Sequence, residues 1–195
     1  VWSQELDFWG GDIKSLINRL DYIQDLGIDV LYLNPIHHGF TNHKYDSLDF
    51  ETISPELGSR EDLKELATVL HRRNMKLVLD GVFNHMGRNS PRFQKAEKDN
   101  ECIWREWFVF DTQIPGGARV WRGQFNLPEL NLENSFVREY LWKSENSVVR
   151  SYLKDGVDGW RLDTAYDLGH NFLAELTEAA HQENPESLIV GEIIT

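Results

Sequence analysis

The 195-residue chain contains a single cysteine, Cys102. It has no partner for an intrachain disulfide and no CxxC pair for a structural zinc site, so it reads as an ordinary reduced thiol. No apolar run approaches the roughly 18 residues of a membrane span; the longest, around Val30 and Val78, are strand-sized. Positive charge is scarce, with 20 basic against 32 acidic residues and a net charge of −12, which argues against nucleic acid and other polyphosphate partners. No internal repeat, low-complexity stretch or G-x-G-x-x-G motif occurs. The first residues, Val1-Trp2-Ser3-Gln4-Glu5, lack the charged start and apolar core of a targeting peptide. What the chain does have is 41% hydrophobic and 27% charged residues, the balance of a folded globular domain.

Apolar periodicity then sets out an alternating order. Asp12 caps a helix with Ile13, Leu16, Ile17, Leu20 and Ile23 on one face, closed by Gly27. Residues 28–33 form a β-rich run stopped by Asn34-Pro35, which reads as a strand buried on both faces. Ser59-Arg60-Glu61-Asp62 opens a second helix with the stripe Leu63, Leu66 and Leu70, and Met75–Leu79 forms the next strand, ending at Asp80. A helix from about Ser135 to Leu153, a strand from Gly156 to Leu162, a helix around Asn171 to Ala180 and a strand Leu188-Ile189-Val190 ending at Gly191-Glu192 complete the series.

Such alternation specifies α/β architecture with parallel strands and right-handed crossovers, either a TIM (β/α)8 barrel or an open doubly wound sheet. Gly10-Gly11 precedes a helix with no strand before it, so a dinucleotide site is disfavoured and the barrel preferred. The organisation expected is a partial barrel: barrel residues 1–85 with strands near 28–33 and 75–80, an inserted subdomain at 86–134, and barrel residues 135–195 with strands near 156–163 and 188–192. The insertion carries Trp104, Trp107, Phe108, Phe110, Pro115, Gly116-Gly117 and Trp121, and suits the barrel face where βα loops carry function. A whole barrel needs eight strands and roughly 250 residues, so the chain is expected to be about the first half of one. Its outer strands would be unpaired apolar edges prone to self-association.

Polar residues close each strand. Asp80, Arg161, Asp163 and Glu192 all fall at strand C-termini, where each carboxylate needs water, a cation or a substrate; rim ion pairs alone are the bland account of any one of them. Asp163 and Glu192 are one strand-helix-strand step apart and should end neighbouring strands about 4.8 Å apart. A carboxyl separation of about 5 to 5.5 Å suits a retaining glycosidase, with one group as nucleophile and one as acid/base. Arg161 points to the same side as Asp163 and is expected to hold it ionised, while Glu192, behind apolar Val190, would keep a raised pKa.

Leu79-Asp80-Gly81-Val82-Phe83-Asn84-His85, Gly159-Trp160-Arg161-Leu162-Asp163 and Gly191-Glu192-Ile193 resemble, in order and spacing, three short motifs of the α-amylase family of glycoside hydrolases. Phe8-Trp9-Gly10-Gly11-Asp12, Leu33-Asn34-Pro35-Ile36, Asn42-His43-Lys44-Tyr45-Asp46 and Leu127-Pro128-Glu129-Leu130-Asn131 extend the likeness over nearly the whole chain. It is most similar to the maltodextrin glucosidase and cyclomaltodextrinase/neopullulanase branches, and Ser144-Glu145-Asn146-Ser147-Val148-Val149-Arg150 leans towards the first.

The resemblance implies a partial TIM barrel with a subdomain inserted after the third barrel strand, acting by retaining hydrolysis on α-1,4-linked maltodextrins. It makes Asp163 the nucleophile, Glu192 the acid/base, Arg161 the residue orienting Asp163, and Tyr45 a stacking face for the sugar, with His85 and Asp80 in the same subsite. No cofactor is required; a calcium ion, if bound, would use Asn84. An α-glucan oligosaccharide is the expected partner, self-association is allowed for, and the likeness suggests the cytoplasm. The family's fourth motif, a His-Asp pair supplying a third carboxylate, does not occur here, so the stretch alone is expected to be inactive. A 4-α-glucanotransferase using the same residues and a non-catalytic carbohydrate-binding module are the alternatives.

Overall fold

A computed structural model describes residues 10–193. Val1–Glu5 and the Phe8-Trp9 half of one family motif lie outside the described residues.

Four strands, β1 (Val30–Leu33), β2 (Lys76–Gly81), β3 (Gly159–Leu162) and β4 (Leu188–Gly191), pair in parallel in chain order. The register sets Tyr32 beside Val78, Val78 beside Gly159, Asp80 beside Arg161 and Arg161 beside Val190. Because side chains alternate across the pleat, Leu31, Leu33, Leu77, Leu79, Trp160 and Leu162 join the core beneath the helices, while Tyr32, Asp80 and Arg161 share the opposite, inner face. This is the parallel α/β sheet of a partial (β/α)8 barrel. The register demands glycine at 159, where an added Cβ would sit 2.1 Å from the Leu188 carbonyl oxygen.

One strand departs from its sequence reading. β1 is not buried on both faces: Val30 and Tyr32 remain 41% and 40% exposed. An apolar run reports that a strand is wanted in a core, not that both of its faces are covered by the residues described, and β1 is an edge of this sheet.

The helices cover the outer face in shorter pieces than periodicity suggests. Asp12 caps α1 (Ile13–Ile17) in a reciprocal box with Ser15. The chain then turns at Asn18-Arg19 before α2 (Leu20–Asp25), because Arg19 leaves helical geometry and Leu20 swings into the core. α3 (Arg60–Arg72), boxed by Ser59 and Asp62, packs its Leu63-Leu66-Leu70 stripe against β2. α4 (Pro91–Lys98) starts on a Ser90 cap with proline in its first turn. The expected single helix at 135–153 is α5 (Ser135–Arg138), a π turn at Glu139–Lys143, an interruption at Ser144–Ser147, and α6 (Val148–Lys154). Ser144 and Ser147 are extended there. α7 (Ala165–Leu168) and α8 (His170–Glu183) lead to β4.

Between α4 and α5 the chain is tied by isolated antiparallel bridges, Phe108 to Leu130, Phe110 to Ala118 and Val120 to Pro128, and returns to the strand end through His85 to Glu129. The core also contains a polar ring. His37 is fully buried, stacked on Trp160 at 6.2 Å and edge-on to Phe50 and Tyr152, with neither ring nitrogen hydrogen-bonded.

Candidate active site

The strand ends gather the acids around one guanidinium. Arg161 Nη1 donates to both oxygens of Asp80 at 3.0 Å and to Oδ1 of Asp163 at 3.0 Å, and Nη2 lies 2.6 Å from Oε1 of Glu192. Asp163 ends β3 and Glu192 ends β4, as the one-step spacing predicts. Their carboxylates share a single cation. Asp80 is fully buried; its Oδ2 also accepts the hydroxyls of Tyr45, at 2.9 Å, and of Tyr32.

The charge balance differs from the sequence reading. Three carboxylates, Asp80, Asp163 and Glu192, face one guanidinium. Burial, with the neighbouring Asp80 charge next, pushes Asp163 up to about 7, outweighing the pull of Arg161. Burial also raises Asp80, against its phenol and guanidinium donors. Arg161 is held above its ordinary value by Asp80 and Glu192 despite partial burial. Glu192 does not sit behind an apolar wall: Val190 is 54% exposed, and the Glu192 carboxylate contacts Arg161 and accepts the backbone N–H of Thr164 at 3.1 Å. Thr164 adopts the left-handed region at φ 47°, rare for a β-branched residue.

Tyr45 and His85 meet at the rim. The carbonyl of Tyr45 only accepts, so His85 Nε2, 3.1 Å away, carries the proton, and Nδ1 faces the Asn84 amide at 3.4 Å. Burial pushes His85 down to about 4, leaving a neutral ring. Its one N–H supports Tyr45 in this arrangement. Trp121 stacks on His85 at 5.6 Å, and its indole N–H donates to Asp167 at 2.8 Å.

Asn84 is buried beside His85. Calcium takes six to eight oxygen ligands, and among the described residues no group of three or more His, Cys, Asp or Glu side chains is placed to hold a metal ion.

The structure therefore brings Asp80, Arg161, Asp163, Glu192 and Tyr45 together, with His85 behind Tyr45. Sequence reasoning missed Tyr32, Thr164, Trp121 and Asp167. Tyr32 carried a readable signal, a hydroxyl at the inward register of an otherwise aliphatic strand. The left-handed turn at Thr164 carried none.

A parallel sheet whose strand C-termini collect acids, an arginine and a tyrosine over a packed helical layer defines part of a barrel enzyme that works on its βα-loop face. The chain belongs to the α-amylase family: residues 3–195 match the α-amylase catalytic domain. It is 37% identical over 190 residues to the intracellular maltogenic amylase of Bacillus subtilis, covering 96% of this chain and 32% of the relative. Over 193 residues it is 37% identical to neopullulanase 2 of Thermoactinomyces vulgaris, covering 95% and 32%. The ligand-free cyclic α-maltosyl-(1→6)-maltose hydrolase of Arthrobacter globiformis superposes with a TM-score of 0.88 at 32% identity, covering 99% of this chain and 45% of that one. The chain thus spans about a third of the length of the curated relatives it matches.

Proposed function

We propose that this chain supplies the nucleophile and the acid/base of a retaining glycoside hydrolase that cleaves α-1,4 bonds of maltodextrins. The observation that carries the reading is the contact of one guanidinium, Arg161, with both Asp163 and Glu192 at adjacent strand ends. In the proposed cycle the Asp163 carboxylate attacks the anomeric carbon while Glu192 passes its proton to the departing glycosidic oxygen. A covalent glycosyl-enzyme forms. Glu192, now a base, takes a proton from water, which attacks the same carbon and releases Asp163. Tyr45 offers its ring to the sugar at the cleavage point, with its hydroxyl fixed by Asp80 and its backbone by His85.

Asp163 must be ionised to attack, so turnover is expected to rise with pH on an acid limb set by that group. The names of the relatives, a maltogenic amylase and a neopullulanase, support α-glucan substrates, and the word intracellular in one of them supports the cytoplasm. The same reading takes 86–134 as an inserted subdomain between barrel residues 1–85 and 135–195, and has the chain act within a polypeptide that completes the barrel, the stretch alone being inactive.

The test is product analysis on maltotriose with the full-length polypeptide and its Asp163→Asn variant. Release of glucose and maltose with retained anomeric configuration, and a loss of several powers of ten in kcat in the variant, are expected. Inverted configuration or near-parental turnover in Asp163→Asn would refute the assignment.

A further inference from the structure

The hydrogen-bonded set at the rim extends one strand beyond the residues that the chemistry uses. On β1, Leu31 and Leu33 pack into the core, and the alternation turns Tyr32 to the inner face. Its ring is half exposed, a position phenylalanine would fill equally well, but its hydroxyl donates to Oδ2 of Asp80. That oxygen also accepts from Tyr45 at 2.9 Å and from Arg161 at 3.0 Å. The same Arg161 nitrogen serves Asp163 at 3.0 Å. One guanidinium nitrogen is thus divided between Asp80 and the proposed nucleophile, and Tyr32 stands on the far side of that division.

We propose that Tyr32 is a positioning residue for the nucleophile, its phenol holding the Asp80 carboxylate in place so that Arg161 is shared between Asp80 and Asp163. The inference rests on the reading of Asp163 as nucleophile. Its logic is electrostatic. A buried carboxylate is kept ionised by the donors it has, and here those are two phenols and one guanidinium. Burial and the Asp80 charge hold the Tyr32 phenol above its ordinary range, so it remains a donor; Tyr45 is likewise pushed up to about 12. The groups facing Asp80 are Tyr32 from β1, Tyr45 from the following loop, and Arg161 and Asp163 from the end of β3. Glu192 joins them through Arg161. With the Tyr32 hydroxyl removed, Asp80 takes up a proton more readily, its charge no longer opposes ionisation of Asp163, and Arg161 turns to Asp163 alone.

The experiment measures the pH dependence of kcat/KM on maltotriose for the full-length polypeptide, for Tyr32→Phe, and for a protein carrying 3-fluorotyrosine at position 32. Tyr32→Phe is expected to move the acid limb to lower pH by about half a unit. The fluorinated phenol keeps the ring but donates more strongly, and is expected to move the limb upwards. This second protein carries the test if Tyr32→Phe does not fold. An acid limb that stays put in both, with Asp163→Asn inactive, overturns the role of Tyr32 and leaves the nucleophile assignment standing. Near-parental turnover in Asp163→Asn overturns the assignment and the inference together.

Discussion

His37 gives the structure its sharpest pH signature. The ring is fully buried among Phe50, Tyr152 and Trp160, and neither nitrogen has a partner. Burial lowers it from 6.5 to about 4; the distant Asp49 charge opposes this and Arg60 reinforces it. In the unfolded chain the same ring protonates near 6.5. Above that pH both states are neutral and His37 contributes no pH dependence. As pH falls from 6.5 towards 4 the unfolded state binds the proton and the folded state does not, so stability is lost through that window. At about 1.4 kcal/mol per unit the loss amounts to about 3 kcal/mol, a large fraction of a domain's total stability. His37→Phe keeps an aromatic ring and removes the titration. Urea midpoints of the full-length polypeptide and the variant, taken at steps between about pH 4 and pH 7, should diverge steadily as pH falls, the variant being favoured at the acid end. His85, also lowered, and Asp163, whose raised carboxyl tilts stability the opposite way between 3.8 and about 7, are present in both proteins and cancel. Any overpacking by phenylalanine shifts the whole curve, so the slope isolates the histidine. A difference constant across the range would mean that His37 is hydrated or hydrogen-bonded, and would refute the reasoning.

The acid role of Glu192 is tested by Glu192→Gln, which should lose far more activity on maltotriose than on an aryl α-glucoside with a good leaving group, since only the first needs the proton; equal losses would remove the role. Gly159→Ala places a methyl 2.1 Å from the Leu188 carbonyl oxygen, within a ladder that cannot yield without losing its pairing. A destabilisation of about 3 kcal/mol is expected, seen as a lower urea midpoint, and an unchanged midpoint would contradict the register. The 195-residue chain by itself leaves Val30, Tyr32 and Val190 open on the inner face and has no strand beyond β1 or β4 among the described residues. Light scattering at micromolar concentration should report association, and a cooperatively unfolding monomer would count against it.

Much of this fold could be read from the sequence because its signals are short-range. β-rich runs ending in Asp80, Asp163 and Glu192 located the strands, and the Asp12 cap and the Ser59 box located the starts of α1 and α3. Helix interiors were less legible. The breaks at Asn18-Arg19 and Ser144–Ser147 depend on which side chains the core draws in, a tertiary matter that periodicity averages away. The site divides in the same way. Arg161, Asp163 and Glu192 are set by strand alternation and could be placed, whereas the partner of the inward Tyr32 hydroxyl, Asp80, lies 48 positions away and no local pattern names it. The environments were harder than the positions. An edge strand leaves Val190 open beside Glu192, and Asp163 carries a raised carboxyl because it is buried, with the Asp80 charge beside it adding to the effect.

Pairing in chain order also gives the site a history. A polypeptide leaving the ribosome delivers Tyr32 and Tyr45 first, then Asp80, and the guanidinium that contacts Asp80 comes 81 positions later. Arg161 and Asp163 emerge two residues apart, so the proposed nucleophile follows directly on its counter-charge. Glu192 follows 29 residues later, about two to six seconds at ordinary translation rates. Until β4 docks, Asp163 stands at the end of β3 without its proposed proton donor, and the proposed pair comes together only with β4.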